Sequence, residues 1–126
     1  MGEEVKTFLF DSYAFFEIIY GNPNYEKYTK DIAIITTKLN LMELHYGLLL
    51  TLGKEKADYY YDLYAKYTID IDDDIFKLAN EFKKVMKTRN LSYADCIGYV
   101  LAKHRNILFL TGDKQFKDLD NVGFVK

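Results

Sequence analysis

Cysteine is nearly absent from this chain of 126 residues: there is one, Cys96. A lone thiol closes no internal disulfide, and without cysteine companions it builds no zinc site. Histidine is almost as scarce. Neither His45 nor His104 sits in a metal-binding or nucleophile–base motif, so both are expected in packing or at the surface. Proline occurs once, at Pro23 in a Gly-Asn-Pro turn, which leaves no proline-rich linker. No apolar run approaches the roughly 20 residues that a membrane span needs. The opening MGEEVK is acidic and passes straight into a strand-like run, unlike a signal peptide, so cytosolic (cytoplasmic) residence without a membrane is the default expectation.

Half the residues are apolar (49%) and 29% are charged, a globular rather than a disordered composition. A chain of this length fits one domain, residues 1–126, and buries about two-thirds of its unfolded surface. The net charge of −2 hides an uneven distribution. Residues 1–81 carry 8 Lys/Arg against 15 Asp/Glu, whereas residues 82–126 carry 9 against 4. Such a chain can hold a polyanion if its basic groups converge and a cation screens its acids.

The run VKTFLF (Val5–Phe10) reads as a buried strand, followed after Asp11-Ser12 by a helix over Ala14–Tyr20. AIIT (Ala33–Thr36) is a second strand, and Leu39, Met42, Tyr46 and Leu49 recur at helical spacing up to Gly53. Residues 54–66 place Ala57, Tyr60, Tyr61 and Tyr64 on one helical face, and Tyr67–Ile71 alternates like a strand. Asp72 opens an amphipathic helix with Ile75, Leu78, Ala79, Phe82 and Val85 inward, broken near Asn90. A further helix from Ser92 to about Arg105 precedes strands at Ile107–Leu110 and Val122–Val125. Short strands separated by helices predict an α/β fold with a short, mostly parallel central sheet flanked by helices.

In such a sheet ligands bind beyond the carboxyl ends of the strands. Asp11 and Asp113 both stand there, although either is also a natural helix cap or turn residue. Glu43 lies in the second turn of its helix with Leu39, Met42 and Tyr46 around it, and it belongs to no cap; it is either a surface acid or one with a purpose. Asp95, among Ala94, Cys96, Ile97 and Tyr99, is either the acid of a capping box begun by Ser92 or a buried charge in want of a counter-ion. Cys96 is expected in the core. Four such acids would make a hard-oxygen cluster suited to Mg²⁺ or Mn²⁺.

The order and context of FLFDSYAFFEII, NLMELHYGLLL, LSYADCIGYVLAKHRN and ILFLTGDKQF resemble the PIN-domain nucleases, above all the small VapC-type toxins of prokaryotic toxin–antitoxin pairs. The resemblance spans nearly the whole chain. It implies a PIN-like three-layer fold and a metal-dependent endoribonuclease, a hydrolase that leaves a 5′-phosphate and a 3′-hydroxyl on RNA. It makes Asp11, Glu43, Asp95 and Asp113 the catalytic, metal-binding acids, with Mg²⁺ or Mn²⁺ as cofactor and Ser12 and Thr111 as supporting hydroxyls. Many relatives have a further acid two residues beyond the Asp113 position; here it is Gln115, a neutral oxygen ligand, a water holder, or a weakened second metal site. An antitoxin partner and a homodimer belong to the same expectation.

Lys103, Arg105, Lys114 and Lys117 are candidates for guiding the phosphate backbone, with plain solubility as the alternative. The Tyr59–Tyr61 run with Tyr64 and Tyr67 fits packing better than base stacking. A non-catalytic PIN-like module that holds a partner or RNA is the rival reading. An aspartyl phosphatase needs a second Asp where this chain has Tyr13, and a phosphorelay receiver needs an acid pair and a phospho-acceptor Asp that do not fit.

Overall fold

The computed structural model describes residues 5–126; the opening MGEE lies outside the described residues. Strands β1 (Lys6–Phe10), β2 (Ile32–Ile35), β3 (Leu108–Thr111) and β4 (Val122–Phe124) form a sheet in the order β2-β1-β3-β4, with every pairing parallel. The helices are α1 (Ser12–Ile19), α2 (Lys38–Thr51), α3 (Lys54–Tyr64), α4 (Asp73–Val85) and α5 (Tyr93–His104).

Because strand side chains alternate, the central strands feed two cores. Leu9 and Phe109 point into one shared with Ile75, Ala79, Ile97 and Leu101 of α4 and α5. Phe8, Phe10 and Leu110 point into the other, with Phe15, Leu44, Leu48 and Ala57 of α1 to α3. The result is three layers, helix on sheet on helix, as the α/β, PIN-like reading predicts. Asp31, Asn106 and Asn121, each just ahead of β2, β3 or β4, take the left-handed conformation (φ near +60°) that Asp and Asn tolerate best.

Three sequence expectations need correction. Tyr67–Ile71 is not a strand. Tyr67 closes a short 3-10 turn, and only Thr68 bridges Thr36, through Thr36 N–H to the Tyr67 carbonyl and Ile69 N–H to the Thr36 carbonyl. Ile69 and Ile71 pack against the core of α4 and α5 all the same. On α2 the buried stripe is Leu41, Leu44 and Leu48, while Met42, Tyr46 and Leu49 are exposed. The helix is apolar on nearly every side, so spacing alone could not say which side meets the sheet. On α4, Ile75 and Ala79 are buried as expected, but Leu78 is exposed at the α4–α5 groove and Val85 in the last turn is 76% exposed. Ala57 with Tyr60, Tyr61 and Tyr64 does pack inward from α3.

The turn after β3 depends on a glycine. A Cβ on Gly112 would stand 2.2 Å from the Val125 carbonyl oxygen and 2.4 Å from Tyr13 Cε1. The Val125 backbone is itself tied down by its N–H to the Thr111 carbonyl at 2.9 Å. Gly112→Ala should therefore lower stability by roughly 1–3 kcal/mol, as overpacking does. Thermal unfolding checks this; an unchanged melting temperature would mean that the chain end yields freely.

Candidate active site

The strands β1 and β3 run side by side with Phe10 paired to Leu110, so Asp11 and Asp113 leave the sheet at the same edge. Asp11 is the N-cap of α1 and is almost fully buried. Its Oδ1 accepts from the Ser12 backbone N–H at 2.8 Å, and its Oδ2 accepts from Thr111 Oγ1 at 2.6 Å. Thr111 Oγ1 accepts in turn from the Asp113 N–H at 3.1 Å, so one hydroxyl fixes both acids. Ser12 Oγ lies 2.9 Å from the Asn40 carbonyl oxygen, to which it donates, and 3.3 Å from Glu43 Oε1, which links α1 to the acid of α2.

Asp95 does what both of its readings ask. Ser92 Oγ accepts from the Asp95 N–H at 3.1 Å and Asp95 Oδ2 accepts from the Ser92 N–H at 2.9 Å, a complete capping box. The same carboxylate also borders the cleft. Asp113 is likewise double: its Oδ1 accepts from the Gln115 N–H at 3.0 Å and caps the short 3-10 turn Lys114–Phe116.

All four acids line one cleft of about 370 Å³, with Ser12, Ser92, Asn90 and Leu91 between them and the rings of Tyr13 and Phe16 on one wall. No Lys or Arg is among its lining residues. A larger groove of about 610 Å³ between α4 and α5 contains none of these acids.

Burial, the neighbouring Asp95 charge and Glu43 together push the Asp11 carboxyl up to about 8, against the pull of Thr111 and Ser12. Burial also raises Asp95, to about 6, with Glu43 and Asp113 adding to the rise and the Ser92 N–H opposing it. Carboxylates crowded this way favour a proton or a cation.

The donor set is all oxygen, with no imidazole or thiol, which fits a hard divalent ion. Among the described residues, however, no three His, Cys, Asp or Glu side chains converge closely enough as they stand to hold one ion. The caps and Thr111 already occupy a carboxylate oxygen on Asp11, Asp95 and Asp113. Asp11, Glu43, Asp95 and Asp113 are the residues that would hold a cation: Glu43, Asp95 and Asp113 each keep one carboxylate oxygen outside these bonds, whereas both oxygens of Asp11 already accept one.

Other predicted residues fall elsewhere. Gln115 does not border the cleft; its carbonyl accepts from Arg89 Nη1 at 2.6 Å, and Arg89 also forks onto Asp118 at 2.7 and 2.8 Å, clasping the Asp113 turn to the segment before α5. Lys103 pairs with Asp120 at 3.1 Å and borders the α4–α5 groove, and Arg105 caps the far end of α5, about 15 Å along the helix from Asp95. Neither is among the residues that line the cleft. Lys114 and Lys117 are exposed on the Asp113 turn, with Lys117 Nζ 5.8 Å from the Phe124 ring. Cys96 is buried in the core, its thiol pushed up to about 11 by that burial. His45 pairs with Asp58 at 2.7 Å across α2 and α3, away from the acids.

Sequence reasoning passed over Asn40. It is fully buried, accepts from Thr37 Oγ1 at 2.7 Å, and aims Nδ2 at Asp11 Oδ1 (3.4 Å) and Ser12 Oγ (3.5 Å). The missed signal was an amide three residues ahead of Glu43 in an otherwise apolar helix.

Residues 8–122 match the PIN domain family. The chain belongs to that family. Solved structures share the fold at low identity. The VapC20 toxin of Mycobacterium tuberculosis, described as cleaving the sarcin-ricin loop, aligns with a TM-score of 0.81 and 14% identity over 94% of this chain and 99% of that one. VapBC-1 from nontypeable Haemophilus influenzae gives 0.70 and 13% over 94% and 96%. VapBC2 from Rickettsia felis, solved on a DNA fragment of its promoter, gives 0.68 and 18% over 92% and 95%. No curated protein sequence matches the chain. The acid-lined cleft described above is thus a feature of a PIN-family chain, and among its described residues no helix is long and apolar enough to cross a membrane.

Proposed function

We propose that this PIN-family chain is a Mg²⁺- or Mn²⁺-dependent endoribonuclease and the toxin of a toxin–antitoxin pair. One observation carries the reading: Asp11, Glu43, Asp95 and Asp113, contributed by four separate segments, line a single cleft that holds no side chain able to act as a covalent nucleophile in an activated setting. The reaction left to such a cleft is hydrolysis, in which water attacks the phosphorus of a phosphodiester; by analogy with the PIN nucleases, the bond to the 3′-oxygen breaks and a 5′-phosphate and a 3′-hydroxyl result. A divalent ion held by the acids would screen their charge from the substrate and stabilise the charge that builds on the phosphate.

The chain's own part is positioning. Thr111 fixes Asp11 and Asp113 against each other, Ser12 joins Asp11's loop to Glu43, and the two caps set Asp95 and Asp113 at rigid helix starts. An antitoxin or a second copy of the chain has an obvious apolar surface on α2, where Met42, Tyr46, Leu49 and Leu50 are all exposed. That the neighbouring solved structures include toxin–antitoxin complexes supports the partner.

The rival, a non-catalytic module that holds a partner or RNA, is favoured by the carboxylate oxygens already spent on caps. One experiment separates the two. Purified protein should cut single-stranded RNA in Mn²⁺ or Mg²⁺ and stop on addition of EDTA. Cleavage that persists in EDTA, or RNA that is bound and left whole in both metals, would overturn the nuclease reading.

A further inference from the structure

The cleft poses an electrostatic difficulty: four carboxylates border it and no Lys or Arg does, yet the substrate class proposed above is a polyanion. Within the lining itself, attraction beyond that of a bound cation comes from contacts that do not need charge. Two aromatic rings supply the surface. Tyr13 and Phe16 of α1 both line the cleft, and each is seated on a glycine beside an acid. A Cβ on Gly112, next to Asp113, would fall 2.4 Å from Tyr13 Cε1. A Cβ on Gly47, one helical turn beyond Glu43, would fall 2.2 Å from Phe16 Cζ. Each ring can lie where it does because its glycine has no side chain.

The aromatic face continues outward. Tyr20, one turn beyond Phe16, lies nearly parallel to it with centroids 6.1 Å apart and an interplanar angle of 13°. Tyr20 is half exposed, and its hydroxyl is 2.6 Å from Thr51 Oγ1, which anchors it to α2. At the inner end, Lys126 Nζ stands 5.8 Å from the Tyr13 ring, a cation at the rim rather than among the acids. Tyr13, Phe16 and Tyr20 recur at i, i+3 and i+7, so they share one side of α1 and lead away from the cleft.

We propose that this aromatic face is a base-stacking subsite for the unpaired nucleotides that flank the phosphate held at the acids. It rests on the nuclease reading for the phosphate's place. Stacked rings accept any base, since every base has a π-face, but they accept it only from a strand whose bases are splayed out. The substrate class is therefore single-stranded RNA or the loop of a folded one, and a paired A-form helix is excluded because its bases are stacked on each other. The Tyr59–Tyr61 run on α3, the other candidate for stacking, is absent from the cleft lining; Tyr60 and Tyr61 pack inward and only Tyr59 is exposed.

The test uses the full chain and a six-nucleotide single-stranded RNA carrying 2-aminopurine, whose fluorescence is quenched by stacking, with Ca²⁺ as the divalent ion. Wild type should quench it, and a blunt duplex of the same sequence should bind at least about 10-fold more weakly. Phe16→Leu or Tyr13→Leu should weaken binding of the single strand about 10- to 100-fold, while Phe16→Tyr and Tyr13→Phe restore it. In Mn²⁺ the leucine variants should raise KM far more than they lower kcat, with Mn²⁺ affinity unchanged.

Absence of quenching by wild type, or equal affinity for the duplex, overturns the subsite, and neither result depends on any variant folding. Leucine variants that bind RNA as wild type but change the chain's self-association would mark the face as a protein interface instead, and also overturn it. Quenching without cleavage in any metal would sink the nuclease reading and leave the stacking subsite standing; cleavage without quenching would do the reverse.

Discussion

In buffer free of divalent ions at pH 8, Asp11→Asn should melt above the wild type, by about 5–10 °C, and the gap should close as the pH falls to 4. The cause is the burial of Asp11 among Asp95 and Glu43, which lifts its folded pKa to about 8 from an ordinary carboxyl value near 3.8. Between those two values the folded protein binds a proton that the unfolded chain has released. Stability then falls as pH rises, because the slope of unfolding free energy with pH follows protons bound unfolded minus protons bound folded, and here that difference is negative. Below about pH 4 both states are protonated and the burden is gone. Asp95, raised to about 6, adds a smaller loss over a lower window, from about pH 4 to 6.

The asparagine carries no charge to desolvate, so it escapes the loss; a few kcal/mol at pH 8 corresponds to the stated shift in a chain of this size. It keeps an acceptor for the Ser12 N–H but gives up the charge-assisted bond from Thr111, which lowers the gain by about 1 kcal/mol. Saturating Mn²⁺ should invert the order, since an ion that binds only the folded wild type stabilises it in proportion to the logarithm of its concentration. Melting curves from pH 4 to 8, with and without Mn²⁺, check both halves. A gap between variant and wild type that does not change with pH would show that Asp11 is ionised without strain.

The acids were legible because each is tied to a landmark that local sequence announces. Asp11 and Asp113 end apolar strand runs, and Asp95 follows Ser92 at capping-box spacing. Glu43 was readable only as an acid out of place among Leu39, Met42 and Tyr46. Thr111 and Ser12 came with their acids. What stayed hidden depends on which side of a helix meets the sheet, and on where its far end lies. Apolar residues on all sides of α2 concealed both its exposed stripe and the inward amide of Asn40. Lys103 and Arg105 are close in sequence to Asp95 but separated from it by most of α5, so their charge serves Asp120 and the helix end. Tyr13 and Phe16 drew no site reading from the sequence; they pack against the core and also line the cleft, seated on Gly112 and Gly47, 99 and 31 positions away in the chain.

Asparagine and alanine at Asp113 and Asp95 should differ in stability and give the same result in function. Each of these acids spends one oxygen on a cap, on the Gln115 N–H or the Ser92 N–H, and borders the cleft as well. Asparagine keeps an acceptor for the cap and removes the charge; alanine removes both. At pH 5, where Asp11 and Asp95 are largely protonated and their repulsion is relieved, the asparagine variants should unfold within about 0.5 kcal/mol of wild type, and the alanine variants 0.5–2 kcal/mol earlier, the ordinary cost of a lost cap. Glu43 caps nothing, so Glu43→Gln should leave stability where it was. At pH 7.5 all five variants should lose Mn²⁺ affinity by roughly 10-fold or more and RNA cleavage by roughly 100-fold or more, the scale seen when a group that holds a metal or orients its ligands is removed. Denaturant unfolding, Mn²⁺ titration and cleavage rates on the same preparations measure the three quantities. If Asp113→Asn or Asp95→Asn cuts RNA at the wild-type rate with unchanged Mn²⁺ affinity, that acid is a cap alone. If instead the asparagine variants lose both stability and cleavage together, the loss of function follows from a loosened helix start, and the carboxylate's place at the cleft edge carries no chemistry of its own.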